Sequence, residues 1–154
     1  MHGTVEDKLA NLGLSLPEAN APVANYVPTV MTGNLLFVSG QISKLASGEQ
    51  VLGKLGADLD VAAGQKAAEL CALNILAQAK AALGDFARIQ RVVRLNAFIN
   101  STLEFVDHPM VVNGASNLFG NVLGDKGKHT RTSVGVAGLP LGVAVEIDAI
   151  IEVA

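Results

Sequence analysis

Arg131-Thr-Ser-Val-Gly-Val-Ala-Gly-Leu-Pro-Leu-Gly-Val-Ala-Val-Glu146-Ile-Asp148-Ala-Ile-Ile-Glu-Val-Ala154 is the stretch whose spacing sets how the rest of the chain is read. Val143, Val145, Ile147, Ala149, Ile151 and Val153 alternate with Ala144, Glu146, Asp148, Ile150 and Glu152. A period of two puts the first set on one face of a strand and most of the acids on the other. Upstream, Thr132, Val134 and Val136 alternate with Arg131, Ser133 and Gly135, which predicts a second strand. Between them, Gly138-Leu139-Pro140-Leu141-Gly142 supplies the backbone angles of a reversal. The expectation is a terminal hairpin. With its polar faces matched, Arg131 and Glu146 share a face. A cation and a carboxylate so placed suit a small anionic substrate.

Working outward, Gly124 to Gly127 reads as the exit of a helix that Pro109 opens and that runs to about Leu123. Ile89 to Ile99 reads as a central strand. Asp60 is a good helix cap, Val61 to Leu83 is strongly helical in composition, and Gly84 closes it. Apolar residues cover most of that helix, so it is expected to lie deep. Tyr26 to Gln41 reads as a hairpin, Val27 to Met31 and Leu35 to Val38 about Thr32-Gly33-Asn34. Gly40, in Ser39-Gly40-Gln41, allows a bulge or a close backbone approach. Ser43 to Gly56 is a loop, with a short strand expected near Val51 and Leu52. Thr4-Val-Glu-Asp7 has the form of a capping box for a short helix ending near Gly13, and Leu16 to Ala24 is a connector. Strands separated by helices imply right-handed crossovers, both helices on one face of a mixed sheet.

At 154 residues the chain reads as one domain, 1–154, with residues 1–24 as an N-terminal helical extension and connector. Half of the residues are hydrophobic, 16% are charged, and there is one Tyr and no Trp. The core is therefore expected to be aliphatic. Charges are too few to clothe both sheet faces, so the helix-free face is expected to be hidden against other subunits. The net charge of −3 argues against a general nucleic-acid binder, leaving only a local patch of Lys126, Lys128, His129 and Arg131. A single cysteine, Cys71, excludes an internal disulfide and reads as a small buried hydrophobe in its helix. There is no signal-like start and no apolar run of the ~20 residues that span a bilayer. A cytoplasmic protein is the expectation. His2, His108 and His129 lack metal-ligand spacing, so no metal site is expected. Gly124-Asp-Lys-Gly-Lys128 is not a phosphate-binding loop, because it lacks Gly-Lys-Ser/Thr and follows a helix.

Taken together, Tyr26-Val27, Gly33-Asn34, Val38-Ser39-Gly40-Gln41, Arg131-Thr-Ser-Val, and Leu139-Pro140 followed by Val145-Glu146-Ile147 resemble the signature of the RidA/YjgF family. That family also carries the older label endoribonuclease L-PSP. The resemblance covers roughly Tyr26 to Val153. It implies an α+β, chorismate-mutase-like fold with a mixed six-stranded sheet, two main helices on one face, and a homotrimeric barrel with clefts between subunits. It further implies hydrolysis of reactive enamines and imines to 2-keto acids and ammonia, without a cofactor. The chain departs from the best-studied branch in its extra N-terminal helix and in insertions at Ser43 to Gly56 and around Asp107 to Pro109. Ser133 stands where that branch has a cysteine, and Gly138 where it has a second basic residue.

In that chemistry Arg131 is expected to hold a carboxylate and Glu146 to orient water or move a proton. Placement of the substrate is itself catalytic. Tyr26 is expected to wall the cleft. Backbone near Ser39, Gly40 and Ser133 is expected to bind the imine or the water, and Asn113 matches a family asparagine near the cleft. Plainer alternatives stand beside these roles. Glu146 shares its face with Asp148 and Glu152 and reads equally as a solvated strand acid. Tyr26 reads as packing, Asn113 as a helix-surface amide, Ser39 as a turn former, and Arg131 as a strand-end charge. In a hairpin centred near Pro140, Arg131 pairs near Ile150, and Glu146 lies about four residues on, roughly 13 Å at about 3.3 Å per residue. The expected site therefore takes Arg131 from one subunit and Glu146 from its neighbour. Three functions follow from this reading. They are a cofactor-free deaminase of small 2-imino acids, a trimeric binder of small carboxylates without turnover, and a ribonuclease. Acidic pI and few aromatics weigh against the last.

Overall fold

The computed structural model describes residues 3–19, 21 and 24–154. His2 and positions 20, 22 and 23 of the expected connector lie outside the described residues. The elements in chain order are α1 (Val5–Asn11), β1 (Thr29–Thr32), β2 (Leu35–Ile42), α2 (Val61–Leu83), β3 (Ile89–Asn100), α3 (His108–Leu123), β4 (Thr130–Val136) and β5 (Val145–Val153). They form an α+β fold in which one sheet is ordered β1-β2-β5-β3-β4. The sheet has five strands, not six. Val51 and Leu52 supply no full strand: Leu52 makes only an isolated bridge to Val143. Val51 bonds to Ser43 and Ala144 through its backbone, but the pairing extends no further.

The terminal hairpin does not form. β4 pairs with β3 in parallel, Leu95 opposite Arg131 and Phe98 opposite Val134. β5 pairs with the other edge of β3, antiparallel, with Leu95 opposite Ala149 and Phe98 opposite Glu146. β3 therefore separates the two strands that the Gly138–Gly142 reversal connects. A glycine-rich reversal permits adjacency but does not impose it. Here the 12-residue β3, with Ile89, Val92, Leu95, Ala97 and Ile99 buried, lies between β4 and β5.

Both long helices cover one face. Asp60 caps α2 by accepting from Ala63 N at 2.8 Å, and Gly84 ends it at φ 81. The described start of α1 carries the expected reciprocal cap, Thr4 Oγ1 with Asp7 N and Asp7 Oδ2 with Thr4 N, both 3.1 Å. Under the helices lies an aliphatic core that includes Ile75, Leu76, Leu95, Ile99, Ile147 and Ile151. Cys71 is part of this core, its Sγ 3.4 Å from the Val145 carbonyl, and burial pushes its thiol pKa up. The opposite face carries Val30 at 51% exposure, Phe37 at 40% and Val134 at 40%, alongside Glu146, Asp148, Arg94 and Asn96. Among the described residues no helix is long and apolar enough to cross a membrane.

Candidate active site

Parity along the ladder settles where Arg131 and Glu146 point. Arg131 is opposite Leu95, which is opposite Ala149, and both of these are buried under the helices. Glu146 is opposite Phe98, between the buried Val145 and Ile147, so it lies on the helix-free face. The two residues do not share a face, contrary to expectation. They are also two strands and three register positions apart, about 14 Å at about 4.8 Å per strand and about 3.3 Å per residue. The structure therefore groups the predicted residues into two half-sites.

Arg131 anchors the first half-site. Its side chain runs along α3, with NH1 donating to Ser116 Oγ at 2.9 Å and NH2 donating to the Pro109 carbonyl at 3.1 Å. Both acceptors are neutral. No ion pair involving Arg131 is present among the described residues. Two of the five guanidinium donors are thus engaged, and the positive charge is uncompensated. Asn113 falls on the same strip of α3, four residues after Pro109 and three before Ser116. Ser133 follows Arg131 on the same face of β4, opposite Ala97. Around it the expected basic patch is dispersed. Lys126 donates to the Ile89 carbonyl at 3.0 Å and Lys128 pairs with Asp125 at 2.9 Å.

Glu146 anchors the second half-site, a cavity lined by Tyr26, Ser39, Gly40, Gln78 and Leu141 among others. The cavity exists because β2 bulges. From Val38 to Gln41 is three steps on β2, while their partners Ala149 and Ile147 are two steps apart on β5. Gly40 lets the backbone come close to Glu146: a Cβ at this position would stand 3.0 Å from Glu146 Cδ, so the carboxyl would have to shift to admit one. Ser39 shapes the rim: its Oγ donates to the Val27 carbonyl and its N–H to the Pro28 carbonyl, each at 2.9 Å. These bonds pin the segment that carries Tyr26, itself 54% exposed. Leu141, at φ 61 and 72% exposed, overhangs the cavity from the reversal. Burial, assisted by the charge of Asp148, holds the Glu146 carboxyl above the ordinary carboxylate range. A carboxyl shifted in this direction holds a proton more readily than a free one, which suits it to proton transfer.

Ser116 and the Pro109 carbonyl hold Arg131, and His129 reaches it through Ser116; the sequence reading assigns none of these roles. The signal that could have found Ser116 is its spacing from Asn113, one helical turn. No group of three or more potential metal ligands gathers among the described residues.

The fold agrees with the comparisons. Residues 6–151 match the family described as "YjgF/chorismate_mutase-like, putative endoribonuclease". The chain belongs to that family. It is 50% identical over 151 residues to protein TCP17 of Trypanosoma cruzi, which covers 97% of this chain and 94% of that protein. A crystal structure of a protein of unknown function from Agrobacterium tumefaciens superposes with a TM-score of 0.92 at 53% identity, covering 98% of this chain and 94% of that one. The 2-iminobutanoate/2-iminopropanoate deaminase of Dermatophagoides farinae is 28% identical over 141 residues, 91% of this chain and 94% of that protein. The YjgF/RidA family is thus established for this chain.

Proposed function

We propose that the protein is a cofactor-free deaminase that hydrolyses small 2-imino acids to 2-keto acids and ammonia. In this reading the chain is a homotrimer, and each cleft takes Arg131 from one subunit and Glu146 from the next. The observation that carries it is the placement of an uncompensated guanidinium and a half-buried carboxyl on opposite faces of one sheet. One chain cannot close both on a molecule of a few heavy atoms; two chains can.

The chemistry needs little else. Arg131 binds the substrate carboxylate with its remaining donors. Water oxygen attacks the C=N carbon, and Glu146 takes the proton that water loses. Glu146 delivers it to nitrogen, which gives the carbinolamine. Glu146 next takes the proton of the new hydroxyl and passes it to the amine, so that the C–N bond breaks, C=O forms and ammonia leaves. No electrons are exchanged with a third party. Ser133, Asn113, Tyr26 and the backbone at Ser39 and Gly40 line the substrate and the water. Fixing the reactants and relaying the two protons are together worth many powers of ten.

The test generates 2-iminopropionate in situ and times the release of ammonia and pyruvate. Acceleration over buffer by wild-type protein, lost in Arg131→Ala and in Glu146→Ala, is expected. Mixing the two inactive variants under subunit exchange restores activity to about a quarter of the sites, because one pairing in four is intact. No acceleration across several imino acids, with pyruvate still bound, would favour a carboxylate-binding module instead. No recovery on mixing would refute the shared cleft.

A further inference from the structure

One set of side chains behind Arg131 is left unused by the proposed mechanism. His129 Nδ1 is 2.6 Å from the Gly127 carbonyl, His129 Nε2 is 2.9 Å from Ser116 Oγ, and Ser116 Oγ is 2.9 Å from Arg131 NH1. We infer that His129 is a positioning residue for Arg131, acting through Ser116. The inference rests on the proposed reading of Arg131 as the carboxylate-holding group.

The direction of each bond follows from what its atoms can do. A carbonyl only accepts, so Nδ1 carries the hydrogen. In the neutral ring Nε2 is then an acceptor and draws in the Ser116 O–H. This turns the hydroxyl oxygen toward the guanidinium. Without that pull, a serine inside a helix can donate to the carbonyl four residues back, here that of Val112, and the anchor for Arg131 is lost. The ring itself is held. Its edge packs on Phe119 at 5.9 Å and 77°. The carbonyl that fixes its tautomer is fixed too, since a Cβ on Gly127 would collide with the Phe119 carbonyl. The groups facing the ring are Ser116 and Phe119 from α3, the Gly127 carbonyl from the turn, and Arg131 from β4. None is acidic. Burial and the Arg131 charge both favour the neutral ring, outweighing the Gly127 carbonyl. The Gly124–Lys128 segment, which carries no phosphate site, thus serves as the mount for this histidine.

Three variants test the relay: Ser116→Ala, His129→Phe, which keeps a flat ring without an acceptor, and His129→Gln, which restores one. The first readout is the guanidinium 15N–1H signal of Arg131 in the ligand-free protein. The second is the Kd for pyruvate, used as a carboxylate probe. The third is KM against kcat with 2-iminopropionate. His129→Phe and Ser116→Ala are expected to average the Arg131 signal, and to raise Kd and KM about tenfold while kcat changes less than about threefold. His129→Gln is expected to recover most of the loss. An ordered Arg131 signal and an unchanged Kd in both His129→Phe and Ser116→Ala would overturn the inference. Absence of turnover in the wild type would sink the deaminase reading alone, since the guanidinium signal still decides this one. Should His129→Phe fail to fold, Ser116→Ala and His129→Gln carry the same comparison.

Discussion

Glu146 and His129 are both moved by burial, in opposite directions along the pH scale. For Glu146 the folded pKa lies above the ordinary 4.5. The folded chain therefore binds the proton more readily than the unfolded chain. The stability this gives is present below about pH 4.5 and is lost as pH rises through the folded value. Glu146→Gln removes that loss, so the variant should be more stable than wild type at pH 7, read by thermal midpoints across pH 4 to 8. Its imine hydrolysis should fall by about a hundredfold or more, because the proton relay is gone. For His129 the folded pKa lies below 6.5. The neutral ring is the folded form, and stability falls as pH drops from about 6.5 through the folded value. Over the same window the charged ring would point a donor at Ser116. The affinity for pyruvate should therefore weaken toward acid in wild type and stay flatter in His129→Gln. Direct titration of the ring by NMR gives the midpoint against which the affinity curve is compared. A midpoint above 6.5 would contradict the buried, cation-flanked setting of the ring.

Between elements, the tightest packing is where α2 meets α3. Gly114 has no room for a Cβ, which would collide with the Gln65 carbonyl on α2. Gln65 Nε2 ties the same crossing by donating to the Met110 carbonyl at 2.9 Å. Gly114→Ala must push two helix backbones apart and should cost about 3 kcal/mol. Urea unfolding should show a lower midpoint with an unchanged slope. Helices were the most legible elements of the sequence, since Asp60, Gly84 and Pro109 act within a few residues of themselves. β3 was legible as a strand from Ile89 to Ile99, although its two register shifts, between Ile89 and Arg91 and between Val92 and Arg94, were not. The partner of β4 was not, because strand adjacency depends on which strand outcompetes another for the central slot. That contest is decided by the whole core, not by the Gly138–Gly142 reversal. The same reason split the site. Alternation along β4 and along β5 gave each strand's faces correctly, but which face of β4 joins which face of β5 depends on the interposed β3. Ser39 and Gly40 could be read locally, since a bulge is signalled by its own glycine. Ser116 and His129 act on Arg131 from other elements, and no local spacing ties all three together.

Across the whole molecule, the helix-free sheet face presents apolar side chains beside a polar group that is already satisfied internally. Arg94 Nε donates to Asn96 Oδ1 at 3.1 Å, Arg94 NH2 to Thr132 Oγ1 at 2.6 Å, and Asn96 Nδ2 to Asp148 Oδ1 at 2.8 Å. Covering such a face leaves few donors or acceptors stranded, so its desolvation cost is small, while Val30, Phe37 and Val134 gain about 25 cal/mol for each Å² removed from water. A solvated face would be built the other way, with unpaired charges outermost. The balance favours burial against further copies, the arrangement that the shared cleft requires. Phe37→Asp and Val134→Asp place a charge in the middle of that cover, which costs several kcal/mol when buried unpaired. Each should sediment as a monomer while keeping its far-ultraviolet circular dichroism. Because Arg131 and Glu146 lie on opposite faces of one sheet, dissociation should abolish turnover although neither residue has been touched. A folded monomer that hydrolyses 2-iminopropionate at the wild-type rate would place the whole reaction within one chain. Both the trimer and the division of labour between the two residues would then have to be abandoned.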